Sequence, residues 1–511
     1  MLTEKRTLVR NTLLNGLSQS AAMLAAFIFM PLLVRSFGLV NYGLYVLISA
    51  VAAYAALLDF GIGAAVTRNV AEADATGDPS LAHQAVSTAL VFYTVVGVLV
   101  ALVMVLVGAF AGEVFHVSAQ QASLLRTMLW IAAAFQLFAW PASTARYALA
   151  GLQRYDLLVG AALLGTALNV VATVYVLATG SGPAALVALT GVASVVSAGT
   201  MVLMVMPLLG PGVAALSGAS YTRLVGMLGF GWAVFVVQLS DVLFYQQTDR
   251  LILGVLAGAV AVGLYEASAK VNNMVTYLSG LTVSAVMPLA SSMDAASRHA
   301  SLRSLFIRGT KYGAAFVVPV AALVVVFSEP LLVAWLGPRF AGQGIVMQTL
   351  VFPHVLVALG LMGDAIVISR GRMGRRVPYI LGQAVANVVL SVLLVPRIGV
   401  LGVAVGTAVA HLVDFPIHVR FLLRETHVTF ASWLREVVVP VYPLLVVPVG
   451  LGVLLARSPL ASSVLGIALA VVIALGAYWL AFYALGLTAD EREDFRGVLR
   501  SFLGQGDGDA A

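Results

Sequence analysis

Apolar runs long enough to cross a bilayer recur along almost the whole chain, and no charged stretch of similar length interrupts them. A spanning helix needs about 20 mainly apolar residues, because the hydrocarbon core is about 30 Å thick and a helix rises about 1.5 Å per residue. That rule marks fourteen spans, roughly 11–34, 42–66, 85–110, 124–145, 157–179, 184–206, 224–246, 263–289, 309–334, 343–368, 377–396, 399–418, 436–456 and 462–487. The eighth is the weakest, since it carries Glu266 and Lys270. Only 10% of the 511 residues are charged, against about a quarter in a soluble domain. So few charges cannot dress a water-facing surface, so lipid must be the main solvent. The expected class is an all-α polytopic membrane protein.

The absence of cysteine excludes disulfides, thiolate metal sites and a cysteine nucleophile. Seven histidines are scattered, with no HxxxH or HExxH spacing, so no metal is expected. The formal charge of +6 reads as arginine-rich cytoplasmic loops, not as a nucleic-acid surface. Lys5, Arg6 and Arg10 ahead of an apolar run resemble a signal peptide. The run from Asn11 to Val34 is too long for a signal core, however, and reads as the first span.

Lys and Arg collect on the cytoplasmic side of membrane proteins. With the N-terminus inside, 21 of the 28 basic residues fall at inward ends and 6 at outward ends, with Lys270 inside a span. The expected topology is N-in and C-in, and the loop with Arg370, Arg372, Arg375 and Arg376 is its strongest inward anchor. No loop is long enough to fold as a soluble domain. The tail starts with Thr488 and Glu491 at capping-box spacing. Phe495, Val498, Leu499 and Phe502 then share a helical face, as expected of a short amphipathic helix on the inner surface.

One short text occurs twice. Residues 38–45 read GLVNYGLY and residues 258–265 read GAVAVGLY, identical at five of eight positions and 220 residues apart. Gly151 and Gly371 keep that offset. LNVVATVYVL (168–177) resembles ANVVLSVLLV (386–395), with Asn169 on Asn387, and Gly182/Gly399 and Thr190/Thr407 follow. These matches are collinear, so spans 1–6 and 7–12 form two copies of one unit. Six is even, so the copies enter the membrane from the same side and are related by an axis along its normal. The expected organisation is a first six-helix lobe at 1–220, a second at 221–424, two added helices at 425–487 and a cytoplasmic amphipathic tail at 488–511.

Two six-helix lobes plus two helices resemble the multidrug/oligosaccharidyl-lipid/polysaccharide exporter superfamily. MPLLVRSFGLVNYGLYVLISAVAAYAALLDFGIGAAVTRNVAE (Met30–Glu72) and DRLILGVLAGAVAVGLYEASAKVNNM (Asp249–Met274) resemble the Wzx-type polysaccharide-biosynthesis flippases of that superfamily. The resemblance implies a central cavity lined by helices 1, 2, 7 and 8, and no catalytic residues.

Charges are costly in a bilayer and should face a partner or water. Asp364 and Asp414 fall near the inner ends of spans 10 and 12, where pairing with arginines such as Arg370 or Arg420 is expected. Gln238, Asp241 and Tyr245 share one face of span 7, and Glu266, Lys270, Asn273 and Tyr277 one face of span 8. Glu266 and Lys270, four apart, can pair directly. Such stripes face either another helix or a hydrated cavity. In the first lobe, Asn15 and Ser18 with Gln19 beside them mark span 1, and Asp59 marks span 2. The candidate substrate cavity is therefore Asn15, Ser18, Gln19, Asp59, Gln238, Asp241, Tyr245, Glu266, Lys270 and Asn273.

A second group, Asp241, Asn387, Ser391 and Thr407, offers one carboxylate and neutral oxygens, a set that suits a monovalent cation. The lipid II flippases of the superfamily resemble it there. Against this, Ala21 stands where the first copy would need the carboxylate, so the Asn and Thr residues can equally serve helix packing.

The expected function is a flippase for a polyprenyl-(pyro)phosphate-linked oligosaccharide, working by alternating access in the cell membrane. No cofactor is expected beyond coupling to a proton or sodium gradient. The partners are the lipid-linked substrate, the bilayer and other polysaccharide-assembly proteins. A cation-coupled antiporter, a lipid II flippase and a membrane glycan polymerase are the alternatives. The polymerase suffers from outward loops, 111–123 and 247–262, whose ionisable residues are only Glu113, His116, Asp249 and Arg250.

Overall fold

The computed structural model describes residues 2–210, 218–241, 248–295, 299–370, 372–493 and 496. Among them every regular element is a helix. Ten helices are long and apolar enough to span a membrane, and an eleventh candidate, Gly344–Val357 with Leu361–Ser369, is bent by 57°. Large apolar side chains point outward along them, such as Leu465 at 82%, Leu480 at 74% and Leu203 at 72% exposure. Water would not tolerate such a surface, whereas lipid tails do. The chain is a multi-pass membrane protein.

Two compact units emerge. The first comprises Met1–Ala267 with Ile380–Thr407, the second Ser268–Tyr379 with Ala408–Ala511. In the first unit, Pro79–Ala109, Ala119–Gly151 and Pro183–Leu209 pack side by side. Tyr93, Ile62, Val66, Val70 and Leu149 form the centre of a core there. The second unit has one core around Phe306, Val318, Leu422, Trp433 and Tyr478, and another around Leu323, Phe327 and Ile467.

The repeated text marks two matching backbone events. Gly38 interrupts the Leu2–Tyr54 helix at φ 76°, and Gly258 stands at φ 79° before the Gly258–Ala295 helix. Glycine suits both places because it alone reaches positive φ without a Cβ clash. The second glycines explain the rest of the motif. A Cβ on Gly43 would lie 1.8 Å from the carbonyl oxygen of Ala259, and one on Gly263 would lie 2.9 Å from that of Leu39. Leu39 and Ala259 are themselves repeat-equivalent positions. The two contacts are one contact with its partners exchanged.

The structure changes the 247–262 loop. Thr248–Leu256 is helical and the next helix starts at Gly258, so Asp249 and Arg250 belong to a helix. The prolines divide. Pro31, Pro141 and Pro319 lie within helices, and Pro353 stands at the first turn of the segment before the 57° bend.

Candidate functional site

Asp59 sits where a helix fails. The chain tightens into a 3-10 turn over Ala55–Asp59, then breaks at Phe60 (φ 47°) and Gly61 (φ 74°) before Ile62–Thr76 resumes. The break buries the Asp59 side chain within the first unit. One carboxylate oxygen accepts a hydrogen bond from the Tyr93 hydroxyl, and Oδ2 has no protein partner among the described residues. The Tyr93 ring stacks on Tyr147 at 6.1 Å and tilts against Trp140 at 5.8 Å. Arg146 donates to the Tyr147 hydroxyl at 2.9 Å, with its guanidinium 4.7 Å above the same ring. A run of groups thus leads from a carboxylate through two phenols to a guanidinium.

Asp59, Trp140, Arg146 and Tyr147 wall a cavity of about 470 Å³. Asp59, Gln136, Ser143, Arg146, Asn169 and Ser197 supply its polar lining. Asn169 Oδ1 has no protein partner among the described residues. A buried carbonyl or carboxylate oxygen without a donor costs about 1–3 kcal/mol unless water or a ligand satisfies it. The cavity therefore invites a hydrated or polar occupant.

A second polar cluster in the same unit is drier. Gly402 and Gly406 let the Val377–Ile398 and Leu401–Glu425 helices approach closely: a Cβ on Gly406 would fall 2.6 Å from Ser391 Oγ and 3.2 Å from the Asn387 carbonyl oxygen. That approach lets Asn387 Nδ2 donate to Thr407 Oγ1 at 2.7 Å, and Thr407 donate to Asp249 Oδ2 at 3.4 Å. Tyr265 donates to the same Asp249 oxygen at 2.6 Å. Beside it, Arg250 Nε pairs with Glu266 at 2.7 Å, both side chains under 10% exposed. Asn387 Oδ1 and Ser391 Oγ are buried without protein partners among the described residues.

The donor set fits a monovalent cation. A carboxylate, two hydroxyls and an amide oxygen are hard ligands, two of them left open by the protein. In the first repeat Thr190 bonds the carbonyls of Leu186 and Val187 on its own helix, so that copy takes no such form.

Sequence reading placed some of these residues and missed others. Asp59 lines the cavity, in the company of Arg146, Tyr147 and Asn169. Asn387, Ser391 and Thr407 come together, but the carboxylate described beside them is Asp249, not Asp241. Glu266 is held by Arg250, a pairing that reading 247–262 as a loop concealed. Lys270 and Asn273 are half-buried and Gln19 is exposed, and Lys270 is engaged in contacts of its own. The side chains of Asn15, Ser18, Gln238 and Asp241 lie outside what is described, as do Tyr245, Gly371, Phe495, Val498, Leu499 and Phe502.

Of the two acids expected to pair with arginines, Asp414 does so and Asp364 takes a histidine instead. Asp414 binds Arg376, and Asp364 binds His418 at 2.8 Å. The 3.6-residue pattern could not show this, because Arg376 lies in a turn and His418 on a different helix from Asp364. At the tail, both bonds of the Thr488–Glu491 capping box form, and the Glu491 carboxylate also takes Lys311 Nζ at 2.6 Å.

The model for the polysaccharide biosynthesis protein family matches residues 8–294, more than half of the chain. The chain belongs to this polysaccharide biosynthesis family. A relative described as "Probable low-salt glycan biosynthesis flippase Agl15", from Haloferax volcanii, is 23% identical over 192 residues, 37% of this chain. The aligned part spans 40% of that relative's length. Among solved structures, the lipid II flippase MurJ in an inward closed conformation matches with TM-score 0.69 and 10% identity, covering 93% of this chain and 99% of that one. An inward-facing multidrug MATE family transporter of the MOP superfamily matches with TM-score 0.65 and 16% identity, covering 81% and 95%. At these identities the likeness is one of fold.

Proposed function

We propose that this member of the family is a flippase that carries a polyprenyl-(pyro)phosphate-linked oligosaccharide from the inner to the outer leaflet of the cell membrane, for surface polysaccharide assembly. The observation that carries the reading is the polar cavity around Asp59 and Arg146, held within a family of polysaccharide-biosynthesis proteins. A lipid solvent makes open polar groups expensive, so a membrane fold keeps them where a polar cargo or water must enter. The relative named as a glycan biosynthesis flippase points the same way.

In this reading there are fourteen spans. Gly38 divides the first long helix in two, the bent pair around Pro353 counts as one, and two more start with the Tyr221–Asp241 and Gly258–Ala295 helices. The first twelve make two six-helix lobes with both termini inside, and the lobes rock against each other around the cargo to expose it to either side. Sugar hydroxyls would meet the Asn, Gln and Ser groups of the cavity, and Arg146 would meet the (pyro)phosphate. Asp249, Asn387, Ser391 and Thr407 would hold a monovalent cation, whose binding supplies the gradient coupling; Tyr265 orients the Asp249 carboxylate for it. The test is deletion of the gene in its host with mass spectrometry of lipid-linked sugars. Accumulation of an undelivered lipid-linked oligosaccharide is the expected result, and an unchanged lipid profile overturns the assignment.

A further inference from the structure

A second cavity, of about 510 Å³, lies in the second unit where the Leu401–Glu425 helix ends and the Phe430–Trp433 turn begins. Its walls are apolar: Phe415, Val419, Leu423, Val428, Phe430 and Trp433. Arg420 and Arg424 complete the lining, both exposed. One turn apart on one helix face, they repel each other.

The acids that could neutralise them are committed elsewhere. Asp414 binds Arg376, Glu425 binds Arg372 and Arg375, each at 3.1 Å, and Glu436 binds Arg303 at 2.9 Å. Among the described residues, no acidic side chain pairs with Arg420 or Arg424. Two guanidiniums without acids, set on the rim of an apolar cavity, ask for a ligand with an anionic oxygen head and a hydrocarbon body. Guanidinium binds phosphate through paired N–H donors. Phe430, 60% exposed, packs 5.5 Å from the buried Trp433 ring and offers apolar surface to an acyl chain. On the expected topology this basic end of the helix lies at the inner surface, where anionic lipids attract arginine.

We propose that this cavity is the seat of a resident anionic glycerophospholipid of the inner leaflet, with an acyl chain against Val419, Leu423 and Trp433 and its phosphate on Arg420 and Arg424. The site is separate from the transported cargo, so it stands or falls independently of the flippase reading.

The test uses the purified, delipidated full-length protein. Phosphatidylglycerol, phosphatidylcholine, inorganic phosphate and polyprenyl phosphate are each titrated in, and binding is read by native mass spectrometry and thermal stability. Phosphatidylglycerol is expected to bind and stabilise, with phosphatidylcholine and inorganic phosphate at least tenfold weaker. Removing two surface arginine contacts in R420Q/R424Q should weaken phosphatidylglycerol by about thirtyfold. R420K/R424K should recover part of the loss, since lysine keeps the charge but not the paired donors. Should the double variant fail to fold, Arg420→Gln alone should show about a fivefold loss. Equal affinity of R420Q/R424Q and wild type overturns the proposal. So does retention of polyprenyl phosphate without phosphatidylglycerol, which would give the cavity to the cargo, or binding of inorganic phosphate alone.

Discussion

Replacing Arg250 by methionine should unfold this protein far more readily than replacing Arg250 and Glu266 together. The pair is short, at 2.7 Å, and its side chains are 9% and 7% exposed. Removing one partner of a buried pair strands the other charge and costs about 3–5 kcal/mol, whereas apolar replacement of both is close to neutral. Arg250→Met should be the worse single change, because it leaves the carboxylates of Glu266 and of neighbouring Asp249 without a guanidinium between them. Glu266→Leu should cost less, because Arg250 keeps neighbouring Asp249 as a counter-charge, and Arg250→Met/Glu266→Leu should be more stable than Arg250→Met alone. The assay is reversible unfolding in mixed detergent micelles followed by tryptophan fluorescence, analysed as a double-mutant cycle. Singles within about 0.5 kcal/mol of wild type, or a double variant as unstable as the worse single, would refute the argument that this pair is a dry, mutually dependent unit.

Gly43→Ala should lower thermal stability in detergent by about 1–3 kcal/mol, as overpacking does, because its Cβ would meet the Ala259 carbonyl oxygen at 1.8 Å; an unchanged melting profile would contradict that close approach. Tyr265→Phe should weaken the apparent cation affinity of transport by about tenfold, as loss of an outer partner of a ligand does, with protein yield unchanged; an unaltered sodium or proton dependence would remove Asp249 from coupling. The tail should detach in acid. Burial raises the Glu491 pKa, but the Lys311 ammonium and the Thr488 backbone N–H outweigh it and hold the carboxyl below its ordinary value of 4.5. A lowered pKa stabilises docking above 4.5 and loses it as pH falls through the lower, folded-state value. Proteolysis of the tail should therefore rise only below about pH 4.5 in wild type, and Glu491→Gln should show high cleavage at neutral pH as well; a tail cleaved equally at all pH values would sink this linkage.

Much of the fold was legible because lipid imposes a blunt rule. About twenty apolar residues make a span, and the repeated glycine text by itself marks two equivalent junctions. What the text could not reveal was that Gly43 and Gly263 exchange partners, since contact between distant segments leaves no local pattern. The candidate site was legible in part. Asn387, Ser391 and Thr407 stood out as oxygen donors on two neighbouring spans, and Asp59 as a costly charge in an apolar run. Asp249 and Arg250 were hidden by their position, because two adjacent charges beside an unclear boundary look like a loop. Arg376 and His418 were invisible as partners for Asp414 and Asp364, because the pairing is set by packing between segments and not by spacing along one helix. The break at Phe60–Gly61, which turns Asp59 into its cavity, followed no pattern in the apolar periodicity.

The central claim is that this chain moves a lipid-linked oligosaccharide across the bilayer. It is tested most directly by reconstituting the protein into liposomes with the lipid-linked sugars that accumulate in the deletion host, then measuring how much becomes accessible to a glycosidase added outside. Wild type should expose the inner-leaflet pool, and Asp59→Asn and Asp249→Asn should slow it severely while inserting normally. If wild-type liposomes protect the inner-leaflet pool as fully as protein-free ones, under a sodium gradient and under a proton gradient alike, the flippase account is contradicted.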